Sequence, residues 1–152
     1  MDTLKVKEYL IKDKYTKKIF KGVIPIDLLK IEYLNGPGGF IINTGKSGTP
    51  GEHWFALYVP KSGPIEYFDS YGFKPINKEV YFFAKANKKP LIHNRYKIQG
   101  NNSLNCGKFS IFYLYLRARG FPLRKIIQFF NKNKYINDII ITKLFNKIKL
   151  IF

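Results

Sequence analysis

The sequence predicts an α+β domain, and three observations carry that prediction. Short strand-like segments alternate with helix-like ones, without the regular spacing of βαβ units. A turn at Pro60–Pro64 separates two apolar strands, and a polar loop ending at Asn105 precedes a long buried helix. A hydrophobic content of 45% over 152 residues supplies one core and fits a single domain over 1–152.

Residues 3–20 carry Leu4, Val6, Tyr9, Leu10 and Ile11 in a lysine-rich background, which predicts an amphipathic helix stopped near Gly22. Pro25–Leu29 reads as a second, short helix. Asn35–Gly39 is a turn, Phe40–Asn43 a short strand, and Thr44–Glu52 a polar loop. His53–Val59 and Ile65–Asp69 are strands, joined through Pro60–Pro64 as a β-hairpin. Val80–Phe83 opens a helix, Leu91–Ile98 is a further strand, and Gln99–Asn105 is a loop. The buried helix runs from Cys106 to Arg119, with Asn105 as N-cap and Gly120 and Pro122 as stop signals. Phe109, Phe112, Tyr113 and Leu116 form its stripe, widened by Ile111 and Leu114. Leu123–Phe130 is another helix. The tail aligns Ile136, Ile140, Leu144, Ile148 and Ile151 on one face, which packs on the domain rather than on a membrane surface.

Composition excludes several classes. No apolar run approaches the ~18–20 residues needed to cross a bilayer, and the N-terminus lacks the apolar core of a signal peptide. One cysteine cannot form an internal disulfide, so the expectation is a soluble intracellular domain, not a secreted one. Lys+Arg 27 against Asp+Glu 10 gives a net charge of +17. Such a charge attracts polyanions, nucleic acid foremost. Lysine dominates over arginine, so any DNA contact is expected to be blind to sequence. A lysine-rich composition without a nucleic-acid partner explains the same number equally well.

Two motifs lead nowhere. Gly45-Lys46-Ser47 resembles the end of a phosphate-binding loop, but Phe40 stands where that loop needs glycine, and Thr49-Pro50-Gly51 follows where a helix should begin. One cysteine and two histidines do not make a tetrahedral metal set, so neither a metal nor a cofactor is expected.

The remaining chemistry centres on Cys106. It opens a helix, where unpaired N–H groups favour a thiolate. Gly107 leaves room for a substrate, and the preceding loop is polar. On these grounds a nucleophile and a core cysteine both stay open. A nucleophile needs a base. His93 lies among lysines and arginines and is read as exposed, while His53 opens the hairpin. If the five-residue turn is symmetric, Val59 pairs with Ile65, Leu57 with Tyr67 and Phe55 with Asp69. His53 and Asp69 then lie diagonally on one face, ~7–8 Å apart, within imidazole–carboxylate reach. A one-residue slip would separate them. Glu66 has the wrong parity.

Four runs then acquire a shared meaning: Asn43-Thr44, Gly51-Glu52-His53-Trp54, Tyr67-Phe68-Asp69-Ser70-Tyr71-Gly72-Phe73, and Gln99-Gly100-Asn101-Asn102-Ser103-Leu104-Asn105-Cys106-Gly107. Together they resemble the adenovirus protease (adenain) family of viral cysteine proteases. The order His, acidic residue, Gln, Cys also matches the wider group that includes proteases processing SUMO-like modifiers. The resemblance spans Ile41 to Leu116. It implies a papain-like, adenain-like α+β fold with a central mixed sheet and the nucleophile at the N-terminus of a buried helix. It also implies roles: Cys106 as nucleophile, His53 as general base and then acid, Asp69 orienting His53, and Gln99 donating to the oxyanion beside the Cys106 N–H. Two preset donors stabilise developing negative charge, and losing one typically costs ~2.7–4 kcal/mol.

Adenain-like enzymes cut capsid and core precursor proteins, often after small residues and glycines, and are stimulated by DNA and a viral peptide. The resemblance therefore implies a monomeric virion maturation endopeptidase, with DNA or a peptide as activator, acting in the virion and in the viral factory or nucleus of the infected cell. This chain departs from the pattern in two ways. With Cys106 as the sole cysteine, an activating peptide cannot be disulfide-tethered without consuming the nucleophile. The C-terminal region is also shorter than in adenoviral members, which removes the basis for an activator groove there. The lysine-, isoleucine- and asparagine-rich composition suits an AT-rich genome and hints at a virophage or related virus. Two rivals remain: a deubiquitinase or SUMO-type isopeptidase using the same residues, and a lysine-rich nucleic-acid-binding protein with an inert site.

Overall fold

The structure is a computed structural model that describes residues 3–30, 34–49 and 52–151, the side chains of 148–151 excepted. Pro50 and Gly51, and Ile148 and Ile151 of the tail face, therefore lie outside the described residues or side chains. The elements in chain order are helices α1 (Thr3–Lys12) and α2 (Thr16–Ile19), strand β1 (Phe20–Pro25) and a 3₁₀ turn (Ile26–Leu28). Strands β2 (Gly38–Asn43), β3 (Trp54–Val59) and β4 (Ile65–Phe68) follow, then α3 (Lys78–Ala86) and β5 (Leu91–His93). Helices α4 (Cys106–Arg117), α5 (Leu123–Phe129) and α6 (Lys134–Ile151) close the chain.

The five strands form one mixed sheet in the order β1-β2-β3-β4-β5. β1 runs parallel to β2 and β4 parallel to β5, while β2–β3 and β3–β4 are antiparallel. β3 is central, and all six of its residues are buried, as a strand covered on both faces requires. On one face Trp54, Ala56 and Tyr58 pack with Phe109, Tyr113 and Leu114 of α4, and α1, α5 and α6 surround that helix. On the other face Phe55, Leu57 and Val59 meet Val80, Phe83 and Ala84 of α3. Helix α4 sits so close to β2 that a Cβ on Gly39 would lie 2.8 Å from Leu114.

The N-terminal segment differs from the single helix expected over 3–20. Asp13 interrupts it by accepting hydrogen bonds from the Thr16 amide (2.8 Å) and hydroxyl (2.6 Å), and the chain turns. Phe20–Pro25 then becomes β1, because Val23 and Ile24 find partners in Ile41 and Ile42 of β2. Asp13 also holds Arg119 just past α4, at 2.6 and 3.1 Å. The Arg119 guanidinium lies 3.4 Å from the Tyr115 ring centroid. Although burial pushes the Asp13 carboxyl upward, Arg119 and Thr16 hold it at about 2 against an ordinary 3.8. The resulting stability is present above pH 3.8 and is lost as pH falls through about 2. Arg119→Ala is expected to destabilise the fold by about 1.5–3 kcal/mol in urea unfolding at neutral pH, since a charged hydrogen-bond partner is left behind.

Other boundaries shift for local reasons. Pro25–Leu29 tightens to the 3₁₀ turn, and the strand expected over Leu91–Ile98 ends at His93. His93 is half-buried, not exposed, with Nδ1 on the Asn94 carbonyl oxygen at 3.0 Å. Asn105 takes the N-cap position of α4, but its side chain makes no capping hydrogen bond.

Candidate active site

The site sits where β3, β4 and α4 converge. The β3–β4 register pairs Leu57 with Tyr67, the pairing that a symmetric Pro60–Pro64 turn requires. His53 immediately precedes β3, Asp69 immediately follows β4, and the register leaves them on one face. His53 Nε2 lies 2.9 Å from Asp69 Oδ2. That contact leaves Nδ1 for Cys106, whose side chain also hydrogen-bonds the imidazole. Burial works against the charged ring. The bonds to Asp69 and Cys106, and the charges of both, outweigh it and raise the His53 pKa to about 9. An imidazole so held carries its proton at neutral pH. It can therefore pair with a thiolate and later donate that proton.

Asp69 is buried and fixed on several sides. Its Oδ1 accepts the Tyr71 amide at 2.7 Å, and the Tyr67 hydroxyl also bonds the carboxylate. Burial, followed by the Asp69 charge, drives the Tyr67 phenol well above its usual range, so it remains a donor. Asn94 brackets the Asp69 backbone. Its Oδ1 accepts the Asp69 amide at 2.9 Å and its Nδ2 donates to the Asp69 carbonyl at 2.6 Å. One side chain thus continues the β4–β5 ladder where β5 has ended. Gly72 then closes the turn at φ +73°, and a Cβ there would lie 2.7 Å from the Tyr96 backbone. Only glycine combines that φ with that approach.

Cys106 is the first residue of α4, 8% exposed, and faces a cleft of about 490 Å³. His53, Glu52, Trp54 and Tyr71 line the same cleft, and Leu104, 92% exposed, stands at its rim. The Tyr71 ring centroid is 5.4 Å from that of His53, and its hydroxyl donates to the Ser103 carbonyl at 3.1 Å.

Gln99 lies behind this wall and is fully buried. Its Oε1 accepts the Ser70 hydroxyl at 2.5 Å. Its Nε2 donates to the Ser103 carbonyl at 2.7 Å and lies 3.2 Å from Ser103 Oγ and 3.4 Å from the Tyr71 hydroxyl. The Ile98 and Gln99 amides both donate to the Ser70 carbonyl, which fastens this segment to the end of β4. The structure therefore gathers His53, Asp69 and Cys106 directly, and brings Gln99 to them through Ser103 and Tyr71. Glu66 points to the opposite face, buried with Tyr113 and with the Arg117 guanidinium 2.9 Å away.

No family model matches the chain. A cysteine protease of a tick isolate of African swine fever virus from Malawi is 29% identical over 121 residues, which are 67% of this chain and 41% of that protein. A SUMO-1 cysteine protease of a Kenyan pig isolate is 28% identical over 121 residues, with the same coverage of 67% and 41%. A third, of a Namibian warthog isolate, is 32% identical over 92 residues, 53% of this chain and 33% of that protein. These relatives are viral cysteine proteases. They do not single out the adenovirus family, and the chain spans less than half the length of each.

Among solved structures, the African swine fever virus protease matches with a TM-score of 0.50 at 23% identity, over 66% of this chain and 42% of that one. The central domain of an uncharacterized Legionella pneumophila protein matches with a TM-score of 0.54 at 18% identity, over 86% of each chain. At these identities the likeness is one of fold. The fold is the adenain-like α+β type, built on a mixed five-stranded sheet.

Asn94 and Ser103 are not marked as site residues by the sequence. Asn94 carries no local signal, and Ser103 is one residue of the Gln99–Gly107 run; the bonds of Asn94 to Asp69 and of Ser103 to Asp138 join positions that only the fold brings together. Gly45-Lys46-Ser47 serves the fold instead of a phosphate. The Ser47 amide and hydroxyl donate to Asp27 at 2.9 and 2.8 Å, tying the loop to the 3₁₀ turn. Among the described residues no group of three or more His, Cys, Asp or Glu gathers as a metal site, and no helix is long and apolar enough to cross a membrane.

Proposed function

We propose that the chain is the catalytic part of a viral cysteine endopeptidase that cleaves capsid and core precursor proteins. The observation that carries the reading is His53 held between Asp69 and Cys106, with Cys106 at the start of α4 and open to a cleft. Cys106 sulfur attacks the scissile carbonyl carbon, and the thiol proton resides on His53. Negative charge develops on the carbonyl oxygen and is received by the Cys106 N–H and by Gln99 Nε2. Turning one Gln99 hydrogen toward that oxygen releases the longest of its contacts, the one to the Tyr71 hydroxyl at 3.4 Å. The C–N bond breaks as His53 passes its proton to the leaving amine, giving a thioester. Water, deprotonated by His53, then attacks the thioester and restores the thiol.

The test is cleavage of precursor-derived peptides by the wild-type chain beside Cys106→Ala. Turnover lost entirely in the variant is expected; equal turnover in both would reject the reading. A second reading, an isopeptidase, is favoured by the name SUMO-1 cysteine protease borne by two of the relatives. Covalent capture of a SUMO- or ubiquitin-based probe at Cys106, with peptides left intact, would select it.

Charge supports a nucleic-acid partner within the same proposal. Arg95, Lys97, Lys132 and Lys134 line a groove of about 410 Å³ without a carboxylate among its lining residues, and Tyr96 there is 73% exposed. Sequence-blind binding to duplex DNA should weaken steeply with salt. An affinity indifferent to salt would count against it.

A further inference from the structure

The loop before Cys106 is held from a distance by one carboxylate. Asp138, on α6, accepts hydrogen bonds from three residues of that loop: the Gly100 amide at 2.8 Å, the Ser103 hydroxyl, and Asn105 Nδ2 at 3.0 Å. Its neighbour Asn137, fully buried, donates to the Ile98 carbonyl at 3.0 Å and to the Asn131 carbonyl at 2.8 Å. Two consecutive α6 residues thus grip the chain from 98 to 105. Approach at Gly100 is so close that a Cβ there would lie 2.6 Å from Asp138 Oδ2, which explains glycine at that point of the loop.

The bonds bear on chemistry because of what the loop carries. Asn105 shares its peptide unit with the Cys106 N–H. Its side chain is fixed by Asp138, not spent on capping α4. Ser103 connects Asp138 to Gln99, since its hydroxyl donates to the carboxylate while its carbonyl receives Gln99 Nε2. Both proposed oxyanion donors are therefore tied to this side chain, Gln99 with Ser70 as its second anchor, although its hydrogen bonds go to the loop and not to Cys106 or His53.

We infer that Asp138 is a positioning residue for the oxyanion site: from α6 it fixes the 100–105 loop and so aims the Cys106 N–H and the Gln99 amide. The inference rests on the protease reading for its catalytic consequence. An asparagine at 138 does not reproduce the carboxylate's three bonds as they stand. With its oxygen on the fixed Gly100 N–H, its NH₂ group faces the Ser103 hydroxyl and the Asn105 amide, both of which donate to the carboxylate and would have to turn round to accept.

The test compares Asp138→Asn and Asp138→Ala with wild type in two assays. Alkylation by iodoacetamide needs the Cys106–His53 pair but forms no oxyanion; peptide hydrolysis needs both. The expected result is an unchanged alkylation rate and pH profile, with kcat lower by about tenfold or more and KM little changed. An unchanged kcat overturns the inference. So does alkylation falling in parallel with kcat, which marks a purely structural role. If the alanine variant does not fold, the near-isosteric asparagine variant decides.

A wild-type chain that alkylates but hydrolyses no peptide would instead overturn the protease reading. Amide exchange at Gly100 then decides the loop assignment. Exchange faster by about tenfold in Asp138→Ala supports it, as loss of a protecting hydrogen bond should. Exchange at the wild-type rate overturns it.

Discussion

His53→Ala is expected to slow peptide hydrolysis by about 10²–10⁴-fold, the usual contribution of a positioned general acid–base. The loss has two sources in this geometry. The imidazole takes the thiol proton before attack, and it alone among the cleft-lining side chains bonds both Asp69 and Cys106. With its pKa raised to about 9, the wild-type ring holds its proton across neutral pH and releases it as pH rises through that value. Activity in the wild type should therefore fall on an alkaline limb near pH 9, measured as kcat/KM against pH. The residual rate of the variant should lack that limb. The same shift bears on stability. A pKa raised from 6.5 to about 9 stabilises the fold fully below 6.5 and loses that contribution as pH rises through about 9. Unfolding scans of wild type and variant should thus converge at high pH.

Asp69→Asn is the second large effect, and its direction follows from what surrounds the carboxylate. Oδ1 receives the Tyr71 amide, a fixed backbone donor, while Oδ2 meets His53. An asparagine must keep its carbonyl oxygen on that amide and turn its NH₂ toward His53 Nε2. The ring then accepts at Nε2 and carries its hydrogen on Nδ1, facing Cys106, with no lone pair left for the thiol proton. A tautomer error of this kind typically lowers kcat by about 10⁴-fold. The alkaline limb should also move down from about 9, because the carboxylate that raises the imidazole pKa is gone. A variant with wild-type kcat and an unmoved limb would show that Asp69 does not govern the ring.

Much of this arrangement is legible in the chain because it rests on local signals. The symmetric turn Pro60–Pro64 sets the β3–β4 register, and that register places His53 beside Asp69. Gly120 and Pro122 stop α4, while the polar loop before Cys106 marks its start. What escaped depends on contacts between distant parts of the chain. β1 hides in a lysine-rich stretch and becomes a strand only when β2 supplies a parallel partner. Asn94 replaces backbone pairing for Asp69 across 25 positions of sequence. Asp138 reaches Gly100 across 38 positions, from a helix whose apolar periodicity says nothing of its one acidic residue. Gln99 illustrates both cases: its place in the loop and its partner Ser103 are local, but Ser70, which closes over its other end, is brought to it only by the fold.

The most direct test of the central claim is alkylation of Cys106 by iodoacetamide across pH, in the wild type beside His53→Ala. A working Cys106–His53 pair predicts rapid labelling at neutral pH in the wild type. In the variant, labelling at neutral pH should slow and its pH profile should differ from that of the wild type. Identical rates and identical pH profiles in the two proteins would contradict the pair, and with it the account of this site as a cysteine protease.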